Sequence, residues 1–265
     1  MGAGPEALLA AGLPQALRDA GHRVHVKLAE LPADSWKAEI STAFELMRMI
    51  SLAVRDAREA NRLPIVLAGN CNTAAGTLAG LGTASTGVVW FDAHADFNTP
   101  ETTVSGFLDG TAVALLTGRC WTTIAATVPD FQPLADQQVC LVGTRDVDRL
   151  ERALLSESNV AVVEPTTLRS ALRPAVALLG EHVDQVYVHL DLDVIDAAVA
   201  AANMFAVAGG LSLGDIDYAL SEIAQTLRIA GVALTAYDPT ADADGAAAAA
   251  AIRLICSAAS LAGES

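Results

Sequence analysis

Basic residues are scarce in this chain. Its 16 lysines and arginines stand against 31 aspartates and glutamates, a formal net charge of −15. That balance argues against nucleic acid and anionic membrane as partners and favours a small cationic ligand. Paired cysteines are absent as well: Cys71, Cys120, Cys140 and Cys256 are scattered, so no disulfide framework is encoded. No signal peptide is recognisable, and a reducing cytoplasm is the expected compartment. No linker, charge run or repeat divides the 265 residues, which are read as a single domain over 1–265. The alanine-rich stretch from Ala246 is interrupted by Arg253 and reads as a packing helix, not a membrane span. Hydrophobic residues make up 52% of the chain, ample for a sizeable core.

What is present concentrates in two places. Residues 91–98 read Phe-Asp-Ala-His-Ala-Asp-Phe-Asn and follow the apolar run Gly87-Val88-Val89-Trp90. That run predicts a buried strand. Residues two apart on an extended segment point to the same side, so Asp92, His94 and Asp96 converge as the chain leaves the sheet. The second place is Val186-Tyr187-Val188-His189-Leu190-Asp191-Leu192-Asp193, again an apolar strand ending in acids at spacing two. In an open parallel sheet the strand C-termini share one edge, where ligands bind. Carboxylates gathered there are costly unless cations compensate them, and so many acids around one point imply two divalent ions. His22, His25, His182 and His189 are read as structural, as is Asp196.

The segment DAHADFNTPETTVSGFLDG from Asp92 to Gly110, and HLDLDVID over 189–196, closely resemble the signatures of the ureohydrolase (arginase and agmatinase) family. The resemblance extends from Gly4-Pro5-Glu6-Ala7-Leu8 to Tyr237-Asp238-Pro239, and includes the Gly209-Gly210-Leu211 turn. It implies a three-layer α/β/α sandwich with a mostly parallel sheet. A strand that precedes Gly4 in the family is missing here, so one sheet position is expected to be unfilled. One metal would take Cys71, Asp92, Asp96 and Asp191; the other would take His94, Asp92, Asp191 and Asp193. Asp92 and Asp191 would bridge two divalent ions, with manganese expected. Asn98, Thr103 and Ser105 match positions that hold the α-carboxylate of an amino-acid substrate, and Asp148 one that contacts its α-amino group. Homo-oligomers are common in the family.

Four departures matter. Cys71, in Gly69-Asn70-Cys71-Asn72, stands where the family has a ligating histidine; a thiolate is softer and shifts preference toward zinc, iron or nickel. Asp109 replaces a proton-shuttling histidine and would serve as an acid only with a raised pKa. Ala236 replaces a glutamate that pairs with the guanidinium, and Asp238 is the nearest carboxylate along the chain. Ala197 replaces a proline. The Cys-for-His pattern resembles the branch that hydrolyses Nω-hydroxy-L-arginine to hydroxyurea and L-ornithine, a preference that Ala236 also favours; Asp109 and Asp193 are the expected catalytic residues. Arginase or agmatinase activity, and a non-catalytic relative, are the alternatives.

The remaining expectations are local. Helices are predicted over 5–20, 35–61, 167–180 and 212–227, with a short one from Glu151. Short strands are predicted over 23–26, 64–68, 139–142 and 160–163.

Overall fold

The computed structural model describes residues 1–29 and 38–263. Six strands form one sheet: β1 (Ile65–Leu67), β2 (Thr86–Phe91), β3 (Val139–Val142), β4 (Ala161–Val163), β5 (Gln185–Asp191) and β6 (Arg228–Thr235). Every pairing is parallel and the order is β1-β6-β5-β2-β3-β4. The helices are α1 (Gly4–Ala10), α2 (Leu13–Asp19), α3 (Glu39–Glu59), α4 (Ala74–Leu81), α5 (Ala112–Leu116), α6 (Thr122–Ala125), α7 (Arg149–Ser156), α8 (Leu168–Gly180), α9 (Leu213–Thr226) and α10 (Ala246–Gly263). They cover both faces, giving the expected three layers.

Alternation along the strands assigns the faces. Val89, Phe91, Val186, Val188 and Leu190 pack toward the side of α1, α2, α8, α9 and α10. Val88, Trp90, Leu141 and Tyr187 pack toward α3, α4 and α5. The alanine-rich α10 is long and apolar enough to cross a membrane. It instead buries Ala247, Ala251, Leu254, Ile255 and Ala258 in the first of these cores.

Helix α4 sits unusually close to α3. Gly80 faces the α3 backbone, and a Cβ there would lie 2.5 Å from the Ser51 carbonyl oxygen and 2.6 Å from Val54 Cβ. Neither neighbour is a flexible side-chain end. Gly80→Val is therefore expected to destabilise the protein by about 1–3 kcal/mol through overpacking. A lowered denaturant midpoint at constant metal concentration would show it.

Two local expectations are corrected. Residues 23–26 form no strand: only Val24 of this run packs against the core, and Val26 is 44% exposed. The helix expected over 5–20 is two helices, broken where Gly12 adopts a φ of 99°, open to glycine at no steric cost. Strand β6 was not anticipated. The long helix is present as α3, its expected start at Ser35 lying outside the described residues. Pro174 lies inside α8 on its exposed side, where water can take up the carbonyl that proline leaves without an N–H.

Candidate metal centre

The pairing register builds the site. Strands β2 and β5 are neighbours, with Trp90 opposite His189 and Phe91 opposite Leu190. The next residues, Asp92 and Asp191, thus leave the sheet side by side. On the other flank Asp191 is paired with Thr235 of β6, and β1, four residues before Cys71, pairs with β6. Four strand ends therefore deliver their polar residues to one point at the switch in strand order, the usual ligand position in such sheets.

Two triplets result. Cys71, Asp92 and Asp191 bring ligand atoms within 4.8 Å of one another, as do Asp92, His94 and Asp193. Asp92 is common to both. Its Oδ1 accepts from the His94 main-chain N–H (2.7 Å) and lies 3.2 Å from His94 Nδ1, while Oδ2 accepts from Trp90 Nε1 (3.0 Å). Asp193 Oδ2 is 3.5 Å from His94 Nδ1. Asp191 Oδ1 accepts from the Asp193 N–H (2.9 Å), and its Oδ2 receives the Cys71 thiol (2.9 Å). Asp96 belongs to neither triplet. It holds a left-handed φ of 49°, is 5% exposed, and its Oδ2 is buried without a hydrogen-bond partner.

This crowding of acids is electrostatically expensive. Burial, then the charges of Asp193 and Asp92, pushes the Asp191 carboxyl well above the usual range. Burial and Asp92 lift Asp193 to about 7. Asp96 is raised by burial and by Asp92, Asp109 and Asp191. The Cys71 thiol is raised by burial and by Asp191, Asp96, Asp109 and Asp92. Burial opposes charge on the His94 ring, but Asp92, Asp193 and Asp146 outweigh it and lift the imidazole to about 9. Asp92 is held low because the hydrogen bonds and charge of His94 exceed its own burial cost. One histidine cannot compensate four buried carboxylates. An unpartnered buried carboxylate oxygen, with oxygen, nitrogen and sulfur donors converging, fits divalent cations. One ion would be held by Cys71, Asp92 and Asp191, a second by Asp92, His94 and Asp193, with Asp96 beside them.

The remaining predicted residues fall into two groups. Asp109 is buried and gripped by amides: Asn70 Nδ2 donates to its Oδ2 (2.6 Å) and Asn72 Nδ2 to its Oδ1 (2.9 Å). Burial outweighs these bonds and lifts the carboxyl to about 6. Asn98 donates from Nδ2 to Asp148 Oδ2 (3.3 Å), which joins two of the expected substrate contacts. Asp148 is exposed and is the N-cap of α7. Thr103 is half-buried and Ser105 exposed; their hydroxyls accept from the Gly106 and Phe107 N–H groups, in the turn that follows Asn98. Asp238 does not face the centre through a free carboxylate: its Oδ1 accepts from the Thr240 N–H and hydroxyl (2.9 and 2.7 Å).

Several supporting residues were missed. Asn203 Nδ2 donates to Asp193 Oδ2 (3.3 Å) and to the Ala236 carbonyl (2.9 Å). Arg145 clamps the loop after β5, donating to the carbonyls of Val207 (2.8 Å), Asp193 (3.0 Å) and Gly143 (3.1 Å). Glu151, buried, accepts from the Phe97 N–H (2.7 Å). Asn70, Asn72 and Trp90 were legible in principle, since Trp90 stands two residues before Asp92 and the asparagines flank Cys71. Asn203 lies in an alanine-rich loop with no periodicity to mark it.

Comparison with known proteins adds a consistent picture. A profile of the arginase family matches residues 2–260. The arginase of Brucella melitensis is 30% identical over 282 residues, spanning 96% of this chain and 89% of that protein. The arginase of Bacillus caldovelox is 28% identical over 275 residues, spanning 95% and 90%. The crystal structure of arginase from Bacillus subtilis superposes with a TM-score of 0.87 at 26% identity, covering 97% of this chain and 91% of that one. The fold is also that of a formimidoylglutamase from Bacillus subtilis, TM-score 0.71 at 20% identity, so fold alone does not choose a substrate.

Proposed function

Because the chain belongs to the arginase family, we propose that it hydrolyses the guanidino C–N bond of an arginine-like amino acid, with Nω-hydroxy-L-arginine as its substrate and hydroxyurea and L-ornithine as products. Members of the family are hydrolases of guanidino C–N bonds, and this chain is a hydrolase of that class. The observation that carries the finer reading is the absence of a carboxylate at position 236. Ala236 holds a left-handed φ of 61° with its carbonyl tied to Asn203, and Asp238 is turned to Thr240. A guanidinium placed there would lack its usual counter-charge. An N-hydroxyguanidine is less basic and loses less from that change.

Divalent cations, manganese being the expected pair, would when bound lower the pKa of water and polarise the guanidino carbon. The rest falls to the chain's own side chains. Cys71, Asp92, His94, Asp96, Asp191 and Asp193 would hold the cations. Asp193, fixed by Asn203 and the Ala93 N–H, is oriented toward the same point as His94. Asp109, lifted to about 6 and held by two amides, titrates within reach of neutral pH and can pass a proton to the departing amine. The Asn98 amide, with the Thr103 and Ser105 hydroxyls, would bind the α-carboxylate. Asp148, an exposed anion, would meet the α-ammonium group.

The test is release of urea and of hydroxyurea, measured side by side from L-arginine and from Nω-hydroxy-L-arginine with added Mn2+. The hydroxylated substrate is expected to turn over faster at neutral pH and equal concentration. Faster turnover of plain arginine would sink the hydroxyarginine reading and leave an arginase. No turnover in the parent, with gain in Cys71→His, would favour a relative that keeps the fold without its chemistry.

A further inference from the structure

Behind Cys71 lies a file of buried polar groups that no step above uses. Cys71 Sγ is 3.1 Å from Thr235 Oγ1. Thr235 Oγ1 is 3.1 Å from His189 Nε2, and His189 Nδ1 is 2.7 Å from the Tyr187 hydroxyl. Thr235, His189 and Tyr187 are each 0% exposed. The imidazole is also fixed in plane: it stacks on the Trp90 ring with centroids 3.5 Å apart and planes 2° from parallel. Trp90 in turn donates to Asp92. Trp90, Tyr187, His189 and Thr235 come from the contiguous strands β2, β5 and β6, so this part of the file belongs to the sheet.

Proton counting gives the file a direction. The two ring nitrogens meet only hydroxyls, Thr235 Oγ1 and Tyr187 OH, so one N–H and one lone pair satisfy both contacts. Without a metal, the thiol donates its own proton to Asp191 Oδ2 at 2.9 Å. A thiolate ligand has no proton, so that contact would become two anions side by side, and the sulfur needs donors. Thr235 is the hydroxyl in reach. If its O–H turns to sulfur, its oxygen must accept from His189 Nε2–H. Nδ1 is then bare and accepts from the Tyr187 hydroxyl. Each proton has one place, and every donor points toward Cys71.

We infer that Tyr187, His189 and Thr235 form a hydrogen-bond relay that positions and stabilises the Cys71 thiolate as a metal ligand. This rests on the reading that Cys71 ligates. It makes Thr235 a positioning residue, acting through sulfur and touching neither substrate nor metal. The relay offsets part of the cost of using a thiol where the family has imidazole.

The experiment uses Co2+ alone, titrated into metal-free protein, and follows the near-ultraviolet sulfur-to-cobalt charge-transfer band. The parent is expected to show the band and Cys71→Ser to lose it. Thr235→Val removes the hydroxyl at nearly constant shape. A sulfur that has lost a hydrogen-bond donor is easier to oxidise, so the band should move to lower energy and Co2+ binding should weaken about 10-fold. Thr235→Ser should restore both. Tyr187→Phe should shift the band the same way, because Nδ1 can then take the ring proton and Nε2 draws the Thr235 hydroxyl away from sulfur. That variant also carries the test if Thr235→Val does not fold. An unmoved band in Thr235→Val and Tyr187→Phe would overturn the relay while leaving Cys71 a ligand. No band in the parent, or one that survives Cys71→Ser, would overturn both readings.

Discussion

Asp191→Asn is expected to lower kcat/KM by about 10³-fold or more, while leaving the metal-free protein at least as stable as the parent. The two halves come from the same residue in different states. Without metal, burial and the charges of Asp193 and Asp92 hold the Asp191 carboxyl well above its ordinary range, so its protonated form is favoured relative to an ordinary carboxylate. An amide is isosteric with that protonated form. Its oxygen can still accept from the Asp193 N–H, and its NH2 group meets Cys71 sulfur where Oδ2 now lies. The variant also removes one anion from a site with several. With cations bound the balance reverses, because the ligand has lost its charge. Loss of about 4 kcal/mol of transition-state stabilisation corresponds to about a thousandfold in rate. Kinetics at saturating Mn2+, with thermal melts before and after chelation, test both halves. A variant that keeps a tenth of the parent rate would remove Asp191 from the metal centre. One that melts far below the parent without metal would make its role structural.

The same physics explains what the sequence disclosed. The centre was legible because its residues lie at spacing two beyond apolar runs, and strand alternation translates that spacing directly into convergence. Asp92 lies with His94 and Asp193 in one triplet and with Cys71 and Asp191 in the other, so Asp191 and Asp193 fall in different groups. Asp96 shares the spacing but not the extended backbone: its φ of 49° turns it out of the alternation, and it joins neither triplet. The residues that hold the ligands in place were harder to see. Asn203 and Arg145 act across more than 30 residues through loop carbonyls, and a contact of that kind leaves no local pattern. Thr235 ends a strand, β6, that was not anticipated. The 23–26 run shows the opposite error, since β-branched residues suggest a strand but supply no partner for its backbone. Helix α9 was placed closely because its capping box, Ser212 with Asp215, is a local signal, and both halves of it are formed.

Metal removal is expected to have the second large effect, and its size should depend on pH. In the metal-free protein Asp193 is lifted to about 7 and Asp109 to about 6, with Asp96 and Asp191 also raised. Each binds its proton more tightly folded than unfolded. Folding therefore takes up protons between the ordinary carboxylate range and these values, and stability falls as pH rises through that window. His94, lifted to about 9, acts in the same sense: its contribution is complete below its ordinary value near 6.5 and is lost as pH climbs through 9. Asp92, held low, acts in the opposite sense but only below about pH 4. The metal-free protein should thus lose stability steadily from about pH 5 to pH 8. Cations remove the cause, since they hold the carboxylates ionised and compete with protons for the same oxygens. At a hundredfold excess over Kd the gain is about 2.7 kcal/mol. For a chain of this size that is a rise in Tm of about 5–10 °C. Melts with Mn2+ and with chelator at pH 5, 6.5 and 8 should show the gap between the two curves widening with pH. A gap that is constant, or that narrows as the acids ionise, would mean that these carboxylates are not where the cations bind.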